Sequence, residues 1–201
     1  MARIVILDYG VGNLFSLACA IEAEGATAVV SQGIPSDLSL DGLILPGVGN
    51  FAPVAAELQQ MRDQIHRVVE SGRPILGVCL GMQILFESSE EGPGEGLGLI
   101  PGRVVKLPPT VKTPHMGWNN LKPVQANPLV DSVPDDAWVY FVHSFYPQPE
   151  DERVVVARAD YGISFPAIVA CDNIYGAQFH PEKSGEAGRA VLKNFLRLCQ
   201  S

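Results

Sequence analysis

The stretch PILGVCLGMQILFE, residues 74–87, runs from an apolar segment through a cysteine into a second apolar segment. Gly77 and Gly81 stand two residues on either side of Cys79. This spacing is typical of a strand that turns sharply into a helix and presents a nucleophile at the turn. Glycines are needed beside such a turn because side chains would clash, and the positive end of the following helix favours a thiolate. The alternative is a buried structural cysteine, since cysteine often packs as a small hydrophobe.

Towards the N-terminus, short apolar runs alternate with segments of helical spacing. RIVILD (3–8), ATAVVS (26–31), DGLILPG (41–47) and PILGVC (74–79) predict strands. NLFSLACAIEAEG (13–25) predicts a helix, residues 53–72 predict one long helix, and a third helix is predicted from about Leu80 to Ser88. Such alternation indicates βαβ units and a parallel sheet that is covered by helices on both faces.

Beyond residue 90 the pattern changes, because strand-like runs follow one another without long helices between them. The runs are RVVKL (103–107), NNLKPV (119–124), AWVYFVHSF (137–145), RVVVARA (153–159), FPAIVA (165–170) and NIYGAQF (173–179). Consecutive strands favour antiparallel pairing, and residues 185–199 predict a closing helix with one apolar face. We therefore expect a single α/β domain over residues 1–201, with a mixed, mostly parallel sheet flanked by helices and antiparallel strands in its C-terminal half.

Composition and charge exclude several classes of protein. With 201 residues and 47% hydrophobic content, the chain can bury a substantial core. A formal charge of −8 argues against nucleic-acid binding, which needs a basic face. No apolar run is long enough to span a bilayer, and the opening segment does not have the pattern of a signal peptide. We expect a cytoplasmic protein with reduced thiols, in which Cys19, Cys171 and Cys199 are structural.

A thiolate nucleophile needs a base, and four histidines are candidates. His66 is expected on a helix surface. His115 in TPHMGWN and His143 in YFVHSFY have a less obvious catalytic role. His180 follows a predicted strand in QFHPEKS (178–184), with Glu182 two residues later. Catalytic groups gather at the carboxyl ends of parallel strands, so His180 can meet Cys79 there. Glu182 would then orient the imidazole. The alternative for His180 is an ordinary capping residue.

The oxyanion of acyl transfer needs N–H donors that are already in place. The backbone N–H of Leu80, directly after Cys79, is one candidate. The second is expected from Val48 or Gly49 in LPGVGN (45–50), although these glycines are also consistent with a plain strand-to-helix turn. DYGVGN (8–13) suggests dinucleotide binding, but it lacks the full three-glycine fingerprint.

These motifs together resemble those of the class I glutamine amidotransferases, whose Cys-His-Glu triad hydrolyses the side-chain amide of glutamine. The resemblance is closer still to the glutaminase subunits of imidazole glycerol phosphate synthases, which are enzymes of histidine biosynthesis. It covers essentially the whole chain, and the ordered set is far more specific than any single motif. The matching motifs are DYGVGN, LPGVGNF, PILGVCLGMQILFE, GLGLIPGRV (96–104), PHMGWN (114–119), YFVHSFY (140–146) and QFHPEKSGEAG.

The resemblance implies roles for individual residues. Cys79, His180 and Glu182 match the nucleophile, the general base and acid, and the residue that orients it. Further matched positions hold glutamine or face the partner: Gln83 and Glu91 hold the substrate, Ser144 and Phe145 contact its amino-acid end through their backbone, and Met116 and Trp118 face the partner. Phe145 departs from the tyrosine expected there.

The resemblance also implies that glutamine is the substrate and that the partner is a cyclase with a (β/α)8-barrel fold. It implies neither an organic cofactor nor a metal. Three alternatives remain at this point: the glutaminase of another pathway, another thiol hydrolase, and a non-catalytic binding subunit. Trp118 also has an alternative, which is a place in a local core.

Overall fold

The N-terminal half follows the predicted alternation of strands and helices. The computed structural model describes residues 1–10 and 12–200. The elements of this half are β1 (Arg3–Leu7), α1 (Leu14–Ala23), β2 (Thr27–Ser31), β3 (Gly42–Leu45), α2 (Phe51–Gln60), α3 (Arg62–Glu70), β4 (Ile75–Val78) and α4 (Leu80–Ile84). Gly25 and Gly72 follow the helices with positive φ angles of 83° and 77°, so they end α1 and α3 as left-handed residues.

The C-terminal half consists mostly of strands and closes with a long helix, as predicted. Its strands and helix are β5 (Ser88–Ser89), β6 (Gly102–Lys106), β7 (His115–Pro123), β8 (Ala137–His143), β9 (Phe145–Pro149), β10 (Val155–Asp160), β11 (Ser164–Cys171), β12 (Ile174–Ala177) and α5 (Gly185–Leu198). Short 3₁₀ helices cover Pro128–Val130, Glu152–Val154 and Pro181–Lys183.

Within the described part of the chain, nine strands form one mixed sheet in the order β2-β1-β3-β4-β12-β11-β10-β7-β8. The pairs from β2 to β12 are parallel, and those from β12 to β8 are antiparallel. The antiparallel strands therefore extend the parallel sheet, and the expected α/β domain with a mixed sheet is confirmed. β5, β6 and β9 form a separate small sheet.

Helices bury both faces of the central parallel strands β1, β3 and β4. Ile4 and Ile6 of β1 lie in one apolar cluster together with α1 and α5, whereas Val5 and Leu7 lie in a second cluster together with α2 and α3. All four side chains are fully buried. Two-sided burial explains why the strand sequences read as continuous apolar runs rather than alternating ones. Among the described residues, no helix is long and apolar enough to cross a membrane.

Two helix predictions were wrong in their extent. The segment 53–72 forms two helices instead of one, because the backbone of Met61 leaves the helical region with φ −106° and ψ 6°. α4 ends at Ile84 instead of about Ser88. Its last carbonyls are taken by a neighbouring loop, since the N–H of Leu97 donates to Ile84 and that of Leu99 donates to Leu85, both at 2.8 Å.

The three cysteines outside the predicted elbow differ in exposure. Cys171 and Cys199 are partly buried, which fits a structural role, whereas Cys19 is exposed on α1. The expectation of core packing is therefore wrong for Cys19.

Candidate active site

Cys79 lies at a strained turn between β4 and α4. Its backbone has φ 55° and ψ −109°, a conformation that side chains rarely adopt. A Cβ on Gly81 would collide with the carbonyl oxygen of Leu45, and a Cβ on Gly77 would collide with the carbonyl oxygen of Gly81. Both glycines of the motif are thus required by close backbone approach. The turn holds the sulfur at the carboxyl end of the parallel sheet.

His180 reaches Cys79 because β12 pairs with β4. Ala177 at the end of β12 lies opposite Val78 at the end of β4, and the N–H of Cys79 donates to the Ala177 carbonyl at 2.7 Å. His180 follows β12 after a short extension, and its N–H donates to the carbonyl of Tyr140 at 2.9 Å. The two residues are thus brought together from distant parts of the sequence by a single pair of neighbouring strands.

The imidazole of His180 is buried between Cys79 and Glu182. Its Nδ1 lies 3.0 Å from Oε1 of Glu182, and both side chains are 5% exposed. Burial lowers the pKa of His180, but hydrogen bonds and negative charge from Cys79 and Glu182 outweigh that effect and raise its pKa well above the ordinary value. The ring is therefore held as an imidazolium that can deliver a proton.

A cavity opens in front of the Cys79 sulfur. It brings together eight of the residues predicted for the site, namely Val48, Gly49, Cys79, Leu80, Gln83, Glu91, Ser144 and Phe145, with Asn50, Pro114, Val142 and His143 completing the wall. His180 and Glu182 do not line this cavity. The Cys79 sulfur therefore faces this cavity, while His180 lies behind it.

Gln83 and Glu91 are both engaged with the protein itself. The Gln83 Nε2 group donates to the carbonyl of Phe145 at 2.9 Å and to Oε1 of Gln178 at 3.1 Å. Oε2 of Glu91 accepts the N–H of Phe51, the first residue of α2, at 2.8 Å. Negative charge at a helix N-terminus is favourable, so Glu91 anchors the end of the LPGVGN loop.

The predicted oxyanion donors lie in the cavity wall, and one of them is engaged. The N–H of Leu80 points at the carbonyl oxygen of Gly47 with a donor–acceptor distance of 3.4 Å. This bond is long, so a stronger acceptor can displace it. A Cβ added to Gly12 of the DYGVGN segment would meet Gly47 and Pro46 at ordinary van der Waals distance, so this segment lies beside the LPGVGN loop. Val11 of the same segment lies outside the described residues.

Comparison with known proteins identifies the family. The family model "Glutamine amidotransferase class-I" matches residues 5–199. The chain belongs to the class I glutamine amidotransferases. It is 47% identical over 199 residues to the imidazole glycerol phosphate synthase subunit HisH of Methanothermobacter thermautotrophicus, covering 98% of this chain and 100% of that protein. It is 48% identical over 196 residues to the protein of the same name from Bacillus cereus, covering 96% and 93%.

Solved structures agree at the level of the fold. A glutamine amidotransferase from Thermotoga maritima has a TM-score of 0.73 at 14% identity, covering 100% of this chain and 99% of that chain. PurLQS from the same organism has a TM-score of 0.77 at 21% identity, covering 98% and 99%. The α/β architecture of the class I amidotransferases is thus confirmed over the whole described chain.

Two residues at this amidotransferase site escaped the sequence reasoning. Gln178 is fully buried and its Nε2 lies 3.7 Å from the Cys79 sulfur. The Ser184 hydroxyl donates to the His180 carbonyl at 2.6 Å and accepts the N–H of Tyr140 at 3.0 Å. Both residues lie inside the QFHPEKS motif, but their role depends on contacts with distant strands.

The residues predicted to face a partner are exposed. Met116 and Trp118 are 63% and 51% exposed on β7, and the Trp118 ring meets Tyr140 edge-on at 5.8 Å between ring centres. The alternative that Trp118 fills a local core is therefore wrong. His115 on the same strand, by contrast, is only 3% exposed and packs into the interior.

His115 and His143 form a buried pair beside the cavity. Their rings are joined by a hydrogen bond of 3.0 Å between Nδ1 of His115 and Nε2 of His143. Burial lowers the pKa of His143 to about 3 and that of His115 to about 4, so both are neutral at physiological pH. Among the described residues, no three His, Cys, Asp or Glu side chains form a group that could hold a metal ion.

Proposed function

We propose that this chain, as one domain over residues 1–201, is the glutaminase subunit of an imidazole glycerol phosphate synthase. It hydrolyses glutamine to glutamate and supplies the ammonia to a cyclase subunit in histidine biosynthesis. The observation that carries the proposal is Cys79 at its strained turn, with the buried His180–Glu182 pair behind it and a cavity in front. The relatives at 47–48% identity, which cover nearly the whole chain, support this pathway.

The first half-reaction forms a thioester. The Cys79 thiolate attacks the side-chain amide carbon of glutamine, and the amide oxygen becomes an oxyanion. The N–H of Leu80 stabilises this oxyanion after exchanging the Gly47 carbonyl for it, with Val48 or Gly49 supplying the second donor. The C–N bond then breaks, and the departing nitrogen takes the proton of His180 to leave as ammonia.

The second half-reaction releases glutamate. Neutral His180 takes a proton from water, and the water oxygen attacks the thioester carbon. The C–S bond breaks when this intermediate collapses, so the sulfur returns to the thiolate. Glu182 transfers no proton in this scheme and stabilises the imidazolium each time it forms.

The cavity wall provides contacts for the amino-acid end of glutamine. Glu91 carries negative charge for the ammonium group of the substrate, while its other carboxylate oxygen stays on α2. The backbone at Ser144 and Phe145 contacts the amino-acid end. The Phe145 carbonyl already accepts bonds from Gln83 and His143, so its N–H is the group left for the substrate.

The partner is proposed to be a (β/α)8-barrel cyclase that docks on Met116 and Trp118. Exposed aromatic and methionine side chains are enriched at protein interfaces, and aromatic anchors dominate their energetics. Ammonia would be protonated in bulk water and lose its nucleophilicity, so the contact has to enclose a route between the two sites.

The experiment is a glutaminase assay of the purified chain, alone and with candidate acceptor subunits, on wild type, Cys79→Ala and Cys19→Ala. Cys19 is an exposed thiol on α1, so it provides a matched control. We expect Cys79→Ala to lose several orders of magnitude in rate with the fold intact, and Cys19→Ala to retain wild-type turnover. The cyclase should still work with Cys79→Ala when ammonium is supplied.

Two results would contradict the proposal. Near-normal turnover of Cys79→Ala would remove the nucleophile from its role. Stimulation by the acceptor protein of another pathway, with no response to the cyclase, would assign the chain to that pathway instead.

A further inference from the structure

Gln178 is the side chain that offers an amide hydrogen to the nucleophile. It follows β12 directly, is fully buried, and its Nε2 lies 3.7 Å from the Cys79 sulfur, a normal distance for a hydrogen bond to sulfur. Its backbone N–H donates to the Ala167 carbonyl at 2.9 Å, which fixes the main chain. The side chain is therefore held against the sulfur.

A backbone carbonyl determines which end of the Gln178 amide faces the sulfur. The Phe145 carbonyl can only accept, so the Gln83 atom 2.9 Å from it must be the nitrogen. The second hydrogen of that nitrogen points to Gln178 at 3.1 Å, where it requires an oxygen. The Gln178 nitrogen is consequently turned towards Cys79. Gln83 thus positions Gln178 as a donor.

The sulfur has a different partner for each protonation state. As a thiol, Cys79 donates to the carbonyl of Val142 at 3.5 Å. As a thiolate it has no hydrogen to give, and it accepts from Gln178 in addition to the His180 imidazolium. Hydrogen bonds to ionised groups are stronger than those between neutral groups, so the Gln178 contact favours the thiolate.

We propose that Gln178, locked in orientation by Gln83, is a built-in hydrogen-bond donor that stabilises and aims the Cys79 thiolate. The same donor assists the return of the thiolate when the thioester breaks, because negative charge reappears on the sulfur at that step. Its effect on glutamine turnover rests on the proposed function, whereas its effect on the sulfur does not.

Other ionisable groups around the sulfur remain constant in the test. They are His180 and Glu182 after β12, Tyr9 after β1, His143 at the end of β8 and Glu91 across the cavity. None of these residues is replaced in the variants, so a change in the thiolate of Gln178→Met reports loss of the amide donor.

The test is the rate of Cys79 alkylation by iodoacetamide between pH 5 and pH 9, followed by mass spectrometry of the peptide, with no glutamine present. Gln178→Met removes the donor at similar volume. Gln178→Glu keeps the acceptor for Gln83 but puts a carboxylate beside the sulfur. The exposed Cys19 thiol is an internal control in the same sample.

We expect Gln178→Met to move the midpoint of the alkylation profile about one pH unit upward. Alkylation on the acid limb then slows about tenfold, equivalent to about 1.4 kcal/mol. Gln178→Glu should move the midpoint further, while Cys19 keeps its profile. Gln125→Met is the matched control, because the Gln125 amide also donates to two acceptors, the carbonyls of Arg153 and Val155 at 2.8 Å.

Unchanged profiles for folded Gln178→Met or Gln178→Glu would overturn the inference. Circular dichroism establishes folding, and Gln178→Glu gives the same test if the methionine variant unfolds. Failure of the proposed function would give a different result. If the wild-type chain had no glutaminase activity but both variants still showed shifted alkylation profiles, the proposed function would be wrong and this inference would remain.

Discussion

The buried histidine pair makes the stability of the fold depend on pH. Nδ1 of His143 donates to the Phe145 carbonyl at 2.9 Å, so its Nε2 must accept from His115. Nε2 of His115 in turn faces the amide of Asn119 at 3.4 Å. This chain of bonds requires both rings to be neutral, and an added proton on either ring would break it.

The direction and the magnitude of this pH dependence follow from the pKa values of the two histidines. The unfolded histidines have a pKa near 6.5, whereas burial lowers that of His143 to about 3 and that of His115 to about 4. Between these values the unfolded chain binds more protons, so the free energy of unfolding falls as the pH falls below 6.5. On going from pH 7 to pH 5, each histidine lowers the free energy of unfolding by about 2 kcal/mol, and the pair lowers it by about 4 kcal/mol.

That loss is large beside a typical stability of about 5–15 kcal/mol. His180 acts in the opposite sense, because its pKa is raised in the folded state. Its contribution is fully present below pH 6.5 and is lost as the pH rises through the raised pKa. It therefore offsets only a small part of the loss between pH 7 and pH 5.

The assay is urea unfolding, followed by circular dichroism at pH 7, 6 and 5, on wild type and His143→Gln. Glutamine is neutral at all three values and can still donate to the Phe145 carbonyl. The variant should be less stable at pH 7, but its free energy of unfolding should fall by about 2 kcal/mol less than that of wild type on going to pH 5. Equal pH dependence in the two proteins would refute the assignment of His143 as a buried neutral group.

Three further outcomes are expected. Gly81→Ala places a methyl group against a backbone carbonyl of β3, so it should destabilise the fold by about 1–3 kcal/mol in urea unfolding and abolish glutaminase activity. Gly33→Ala is the control, because a Cβ there meets open space, and it should change neither the stability nor the activity. His180→Ala should lower the steady-state rate nearly as much as loss of the nucleophile. Glu182→Gln should lower this rate less, because residue 182 transfers no proton. A fully active His180→Ala enzyme would redirect the search to the other histidines. Trp118→Ala should weaken cyclase binding by about 1–3 kcal/mol in calorimetry with little change in melting temperature, and unchanged affinity would remove it from the interface.

Local sequence patterns were sufficient for most of the fold. The strands β1, β3 and β4 are buried on both faces, so each of them is a continuous apolar run that can be recognised in the sequence. The elbow could be predicted because backbone crowding requires glycine at both Gly77 and Gly81, two residues on either side of Cys79.

Features that depend on contacts between distant segments were not predictable. Met61 carries no helix-breaking signal, yet the chain turns there and Leu58, Met61 and Ile65 all end up buried. α4 stops early because a loop more than ten residues later takes its carbonyls. The contact between Gln178 and the Cys79 sulfur depends on Gln83, which bonds both the Phe145 carbonyl and the Gln178 side chain. It could not be predicted because no local sequence pattern links positions 83, 145 and 178.

The exposed residues Met116 and Trp118, which are proposed to bind the partner, pair across β7 and β8 with residues that contact Cys79 and His180. Met116 of β7 lies opposite Val142 of β8, whose carbonyl accepts the Cys79 thiol at 3.5 Å. Trp118 lies opposite Tyr140, whose carbonyl accepts the N–H of His180 at 2.9 Å. Residues paired across antiparallel strands are tied by the backbone ladder, so a displacement of β7 also displaces β8. A protein that bound Met116 and Trp118 and displaced β7 would therefore also displace the two β8 carbonyls that contact Cys79 and His180.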